Sequence, residues 1–242
     1  MSIRKISLIE GEYYHLYNRG NSKQKIFLDN KDYERFVKLL YLCNSEKNIN
    51  FRDDIVSKKI NTFDFERGNS IVSIGAWVLM PNHFHLYITI PKSPLGLSSG
   101  MLNLRKNGEN NISLFVKKLC TSYTMYFNKK YGRTGSLFEG KFKSVHVDED
   151  NQAKYLFSYI HLNPLKLIQK DWRDVGIINK NEALKFLDNY KWSSYLDYLL
   201  IKREENVILN RADFLDYFPT REKFKKEIFE WISILDLPLG LS

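Results

Sequence analysis

From His83 to Ile90 the chain reads His-Phe-His-Leu-Tyr-Ile-Thr-Ile, a strict two-residue alternation. Successive side chains of a strand point to opposite faces, so Phe84, Leu86, Ile88 and Ile90 share one face and His83, His85, Tyr87 and Thr89 the other. Just before it, Ile71 to Met80 is a nearly continuous apolar run, which suits a strand buried on both sides. Pro81-Asn82 is a tight link, so the two segments form an antiparallel hairpin. Nearer the start, Tyr13 to Tyr17 predicts a short aromatic strand, closed by a turn at Asn18-Arg19-Gly20-Asn21. Asp29 or Asn30 can then cap a helix whose apolar stripe is Tyr33, Phe36, Val37, Leu40 and Tyr41.

Residues 44 to 69 are polar and lack a clear period, and predict a loop with a short helix at most. Residues 91 to 111, with two prolines and three glycines, predict a surface loop. Ile112 to Lys130 has a helical repeat of Leu114, Phe115, Leu119, Tyr123, Tyr126 and Phe127. A glycine-punctuated basic loop follows over residues 132 to 141, then a strand over Phe142 to Val147. Asp148 to Asp150 leads into a helix ending near Pro164. The order β-α-β-β-α-β is the ferredoxin-like plan: an α+β fold with an antiparallel sheet and helices on one face. Beyond about residue 170 the chain reads as a helical extension rich in aromatics. The expected division is one domain over residues 1–170 and a C-terminal extension over 171–242.

Composition narrows the partners. The formal charge is +9 over 242 residues, which favours a polyanion, most simply nucleic acid. A hydrophobic content of 43% with 14% aromatics supports a real core and argues against general disorder. Cys43 and Cys120 belong to no Cys-x-x-Cys pair, which fits reduced thiols in a cytoplasmic protein. No secretory leader pattern is visible, and no stretch approaches the ~18 apolar residues of a membrane span.

Candidate chemistry begins on the polar face of the histidine strand. His83 and His85 stand side by side, as a strand offers two nitrogen ligands to one metal ion; the bland alternative is two satisfied sheet histidines. The last helix before Pro164 buries Ala153, Leu156, Phe157 and Ile160. At about 100° per residue, Gln152, Tyr159 and Asn163 cluster on a flank roughly 90° from that stripe, with Tyr159 and Asn163 one turn apart. Pro164 disfavours helical geometry at Asn163, and Asn163 could instead cap the helix. Tyr155, Tyr123 and Tyr126 compete with Tyr159. Two imidazoles plus an amide oxygen make a mixed site suited to Mn²⁺ or Mg²⁺. Arg19, Arg133, Lys141 and Lys143 sit among Gly, Tyr and Phe, a setting that fits phosphate tracking with stacking partners, or plain solvated charge. Asn18 and Phe138 complete this candidate nucleic-acid-binding set. His146 and His161 read as structural or surface groups.

Four blocks carry a resemblance. Met80-Pro81-Asn82-His83-Phe84-His85 resembles the His-hydrophobic-His signature of the HUH nucleases. Tyr159-Ile160-His161-Leu162-Asn163-Pro164 resembles the tyrosine helix of their single-tyrosine transposase branch. Arg133-Thr134-Gly135-Ser136-Leu137-Phe138-Glu139-Gly140-Lys141-Phe142 and Tyr14-His15-Leu16-Tyr17-Asn18-Arg19-Gly20 look like further blocks of that branch. They come in the expected order over residues 13 to 170, and are most similar to the transposases associated with repetitive extragenic palindromes. The resemblance implies that His83, His85 and Asn163 hold a divalent metal, although related enzymes often carry Gln at the last position. It implies that Tyr159 attacks single-stranded DNA near a hairpin, forming a 5′-phosphotyrosine link and releasing a 3′-hydroxyl. A monomer or a homodimer is compatible with it, and no membrane is.

Other functions fit parts of the pattern. A DNA-binding protein of the same fold, with catalysis unused, would keep the basic surface. A replication or conjugation initiator would bring a helicase or a second tyrosine, and neither is present in this chain. An unrelated metallohydrolase would use the histidines to activate water.

Overall fold

The computed structural model describes residues 8–91 and 110–233. Four strands, β1 (Tyr13–Arg19), β2 (Ser73–Met80), β3 (His83–Thr89) and β4 (Lys143–Val147), form one sheet in the order β2-β3-β1-β4. Every neighbouring pair is antiparallel. Helix α1 (Asn30–Cys43) connects β1 to β2, and α2 (Asn111–Tyr131) lies between β3 and β4. This is the ferredoxin-like arrangement expected from the element order. Residues 92–109, most of the predicted 91–111 loop, lie outside the described residues. Segment 44–69 carries two short helical turns, Phe51–Val56 and Thr62–Asp64.

The alternation in β3 sorts the sheet's two faces. Phe84, Leu86 and Ile88 join Tyr14, Leu16, Trp77 and Leu79 on one face, all buried against Phe36 and Leu40 of α1 and Phe115, Leu119 and Tyr123 of α2. Burying each such side chain contributes about 1.5–3 kcal/mol. The helices end where local chemistry dictates. Asp29 caps α1 in a reciprocal pair with Asp32, and α2 stops at Gly132, which takes the left-handed φ of 62° that few other residues adopt cheaply.

The opposite face, carrying Ala76, Val78, Tyr87 and Val147, is covered by α3 (Asp150–Leu162) and by the extension. The stripe Ala153, Leu156, Phe157 and Ile160 packs there as its spacing predicts. The extension contributes α4 (Trp172–Val175), α5 (Lys180–Asn189), α6 (Tyr195–Tyr198) and α7 (Arg221–Ser233). Its Leu187, Tyr195, Phe224 and Ile228 share a core with α3. The sheet is therefore sandwiched: the two connecting helices lie on one face, as expected, and α3 with the extension shields the other. A bulge in β2 at Gly75 brings the Phe214 ring so close that a Cβ would stand 2.9 Å from it. Among the described residues, no helix is long and apolar enough to cross a membrane. Cys43 and Cys120 are both free thiols.

Candidate active site

The face shared by His83 and His85 gains its other members by register. Tyr17 of β1 pairs with His85 and His15 with Tyr87, while Lys143 of β4 pairs with Tyr17. Cross-strand partners point the same way, so His15, Tyr17, Lys143, His83 and His85 line one end of this face. The His83 and His85 rings lie 5.0 Å apart, nearly perpendicular. Tyr159 reaches them from α3: its ring is 5.4 Å from His85 and 5.9 Å from His15, edge-on to both. The hydroxyl of Tyr159 forms no hydrogen bond among the described residues.

Asn163 closes the group. It takes helical φ and ψ of −53° and −38° in spite of Pro164, and the chain runs on as a 3₁₀ turn through Asn163–Leu167. The expected break fails because Asn163, Pro164 and Leu165 are all interior, and packing there outweighs the local preference. The Asn163 side chain is fully buried, yet neither of its amide atoms has a well-formed hydrogen bond. It lies near enough to His83 to favour that ring's charged form. A buried amide whose hydrogen bonds are poorly formed costs up to about 1–3 kcal/mol, so this corner is not optimised for apo stability.

Burial holds the imidazoles neutral. It pushes His83 down to about 4, with the positive Lys166 adding to the effect. It holds His85 well below its ordinary value, helped by neighbouring His15 and His83 and by Lys166 and Arg173. A neutral imidazole is the form that binds metal. Nδ1 of His83 donates to Asn82 Oδ1 at 2.6 Å, which leaves Nε2 as the nitrogen able to accept. The second nitrogen of His85 is engaged by His15 at 2.8 Å. Among the described residues, no cluster of three His, Cys, Asp or Glu side chains has metal-holding spacing. A cation here would draw on two imidazoles and the Asn163 oxygen, with water and substrate completing its shell. Among the described residues no carboxylate acts on either ring, and Lys166, Arg173 and Arg19 set a positive potential there.

The competing tyrosines separate cleanly. Tyr123 and Tyr126 pack with α1 on the far face of the sheet. Tyr155 is a neighbour of Tyr159, with ring centres 6.2 Å apart, but leans on Trp231. His146 pairs with Glu12 at 2.7 Å, and His161 is buried on Ser194 at 2.8 Å, both away from the candidate metal corner.

The expected nucleic-acid set divides. Arg19 and Lys143 lie at the histidine end of the sheet; Arg19 pairs with Glu139, and Lys143 stands 6.0 Å above the Tyr17 ring. Lys141 is exposed, and Arg133 is half-buried 5.5 Å over Phe127. Phe138 and Asn18 are interior instead. Phe138 packs against Phe84 and Tyr123, because Gly20 and Phe138 form a backbone bridge that tucks the loop onto the sheet. Asn18 accepts from the Arg19 amide at 2.9 Å and reaches toward Gly140. Sequence reasoning missed three groups of this site: His15 and Arg173, which meet the Tyr159 ring, and Lys166, whose charge reaches His83 and His85. The only sequence signal for His15 was its parity with Tyr17 in β1; Lys166 and Arg173 follow the last periodic helix and had none.

No protein-family model matches this chain, and no curated protein does. Among solved structures, a REP-associated tyrosine transposase bound to a REP hairpin aligns with a TM-score of 0.46 at 14% identity, over 85% of this chain and 90% of that one.

Proposed function

We propose that this protein is a metal-dependent single-stranded DNA endonuclease and strand transferase of the HUH single-tyrosine kind, working through a 5′-phosphotyrosine link on hairpin-containing DNA. The observation that carries the reading is the meeting of Tyr159 with His85, 5.4 Å ring to ring, beside His83 and the buried Asn163 amide, neither atom of which has a well-formed hydrogen bond. The four sequence blocks in transposase order and the +9 charge support it.

His83 and His85, kept neutral by burial, and the Asn163 oxygen would hold Mg²⁺ or Mn²⁺. Such an ion polarises a phosphodiester and offsets charge developing on it. Tyr159 is the nucleophile. Its phenolic oxygen bonds to phosphorus as the bond from phosphorus to the 3′ oxygen breaks. The proton lost by the phenol is returned through solvent to the departing 3′ oxygen, so no proton is consumed overall. The ester bond is conserved in the link, so a 3′-hydroxyl can later attack it and rejoin strands without ATP. Since no carboxylate among the described residues acts on the two imidazoles, the phosphate itself would be the counter-charge, and metal and DNA should bind more tightly together than apart.

The test is incubation with labelled single-stranded hairpin DNA and Mn²⁺ or Mg²⁺. A denaturant-resistant protein–DNA adduct is expected, lost in Tyr159→Phe while DNA binding persists. Cleavage that continues in Tyr159→Phe would instead indicate water activation, and binding without cutting under either metal a DNA-binding protein.

A further inference from the structure

Three arginines with buried or paired guanidinium groups find their partners inside the protein. Arg203 binds Asp197 and the carbonyl of Lys191. Arg67 binds the carbonyl of Tyr41 and reaches Ser70. Arg19 pairs with Glu139. Arg173 differs: its Nε and Nη2 are sealed from solvent and have no hydrogen-bond partner. Its guanidinium carbon lies 4.2 Å above the centre of the Tyr159 ring. It sits on α4, beyond the predicted domain boundary near residue 170.

A charged donor sealed from water without an acceptor is rare in folded proteins and asks for an explanation. Its fork of N–H groups matches the oxygens of a phosphate or carboxylate. The position selects between them, because the fork overhangs the Tyr159 phenol, which meets His85 edge-on. Lys166, half-buried in the turn after Asn163, adds a second positive charge to the same volume. Its field reaches His83 and His85, and the charge of Arg173 reaches His85. Burial first, and Arg173 second, lower Lys166 itself to about 8, with Asp174 only partly opposing them, as expected of two cations held close together.

We propose that Arg173, with Lys166 beside it, seats the phosphodiester that Tyr159 attacks, so that the extension beyond residue 170 is a working part of the active site. The proposal rests on the strand-transfer reading for the identity of the reaction. In that step the phosphate passes from one negative charge to nearly two as the phenolic oxygen joins and the 3′ oxygen leaves. A fixed fork binds the second state more tightly than the first, which lowers the barrier beyond any gain in affinity.

The experiment uses the full chain. Dimethyl phosphate, a phosphodiester without a base, is titrated while the Arg173 Nε–H and the Tyr159 ring resonances are followed by NMR, with chloride at matched ionic strength as control. A saturable shift of both signals is expected with dimethyl phosphate and not with chloride, and Arg173→Gln should abolish the Tyr159 response. On hairpin DNA, Arg173→Gln should slow adduct formation roughly 100-fold with a much smaller change in DNA affinity, and Arg173→Lys should recover part of the rate. If dimethyl phosphate shifts neither signal, or if Arg173→Gln forms adduct at the wild-type rate, the proposal is overturned. If the anion response depends on Arg173 but the wild-type protein never forms an adduct, the anion seat stands and the strand-transfer reading falls. Should Arg173→Gln fail to fold, the wild-type titration and the Arg173→Lys rate decide: loss of the shift, or an unchanged rate, overturns the proposal.

Discussion

Nε2 of His15 lies 2.8 Å from Nδ1 of His85, across strands β1 and β3 and 70 residues apart in sequence. One ring must donate and the other accept. For His85 to offer Nε2 to a metal, its proton must sit on Nδ1 and be accepted by His15. The hydrogen bond therefore sets which nitrogen of His85 is free, the role that outer groups play around metal-binding histidines.

His15→Phe keeps an aromatic ring in the sheet and removes this acceptor. Metal affinity should fall about 10- to 100-fold with the fold intact. Calorimetric titration of Mn²⁺ in the presence of hairpin DNA, with circular dichroism as the folding control, checks it.

Asn163 is where stability and function should part. Asn163→Leu is close in size and removes a buried amide whose contact with His83 is not a well-formed hydrogen bond. The apo protein should gain about 1–3 kcal/mol, read as a higher urea midpoint, while metal-dependent cleavage is lost. An Asn163 that only packed would show no such opposition.

Acid should unfold the protein early. Burial lowers His15 and His161 to about 3 and His83 to about 4, and holds His85 well below its ordinary value. Unfolded, each would take up a proton near pH 6.5. Below that pH the unfolded chain binds more protons than the native one, so stability falls as pH drops from about 6.5 towards 4. Each group contributes on the order of 1.4 kcal/mol per pH unit over that window. Urea midpoints at pH 7 and pH 5 should therefore differ clearly.

Gly20 holds the turn that carries the basic loop. A Cβ there would stand 2.2 Å from the carbonyl oxygen of Gln24 and 2.9 Å from Ile26. Its neighbours fix the loop as well, with the Asn21 amide on Leu137 and the Glu139 amide on Arg19. Gly20→Ala should cost about 1–3 kcal/mol through backbone displacement, measured as a lower thermal midpoint.

Much of this architecture was legible where one side chain pattern had one physical solution. The alternation of β3 put Phe84, Leu86 and Ile88 in a core and the histidines on the other face. The phase of α3 brought Tyr159 towards that face. What stayed hidden depended on contacts distant in sequence. His15 meets His85 only through strand register. Phe138 read as a surface aromatic because its loop is rich in glycine and charge, yet a bridge to Gly20 draws it inward. Lys166 and Arg173 follow Pro164 in a stretch without a period, and only the folding of the extension over α3 brings Arg173 to the phenol. Asn163 was doubtful because of Pro164, whose local preference is overridden by burial on all sides.

The covalent link itself is the most direct test. After reaction with hairpin DNA and Mn²⁺, trypsin should release a peptide spanning Tyr155 to Lys166, whose mass is raised by the attached nucleotide. Fragmentation of that peptide should place the nucleotide on Tyr159. A nucleotide on Tyr155, or cleaved DNA with no modified peptide at all, would contradict the account.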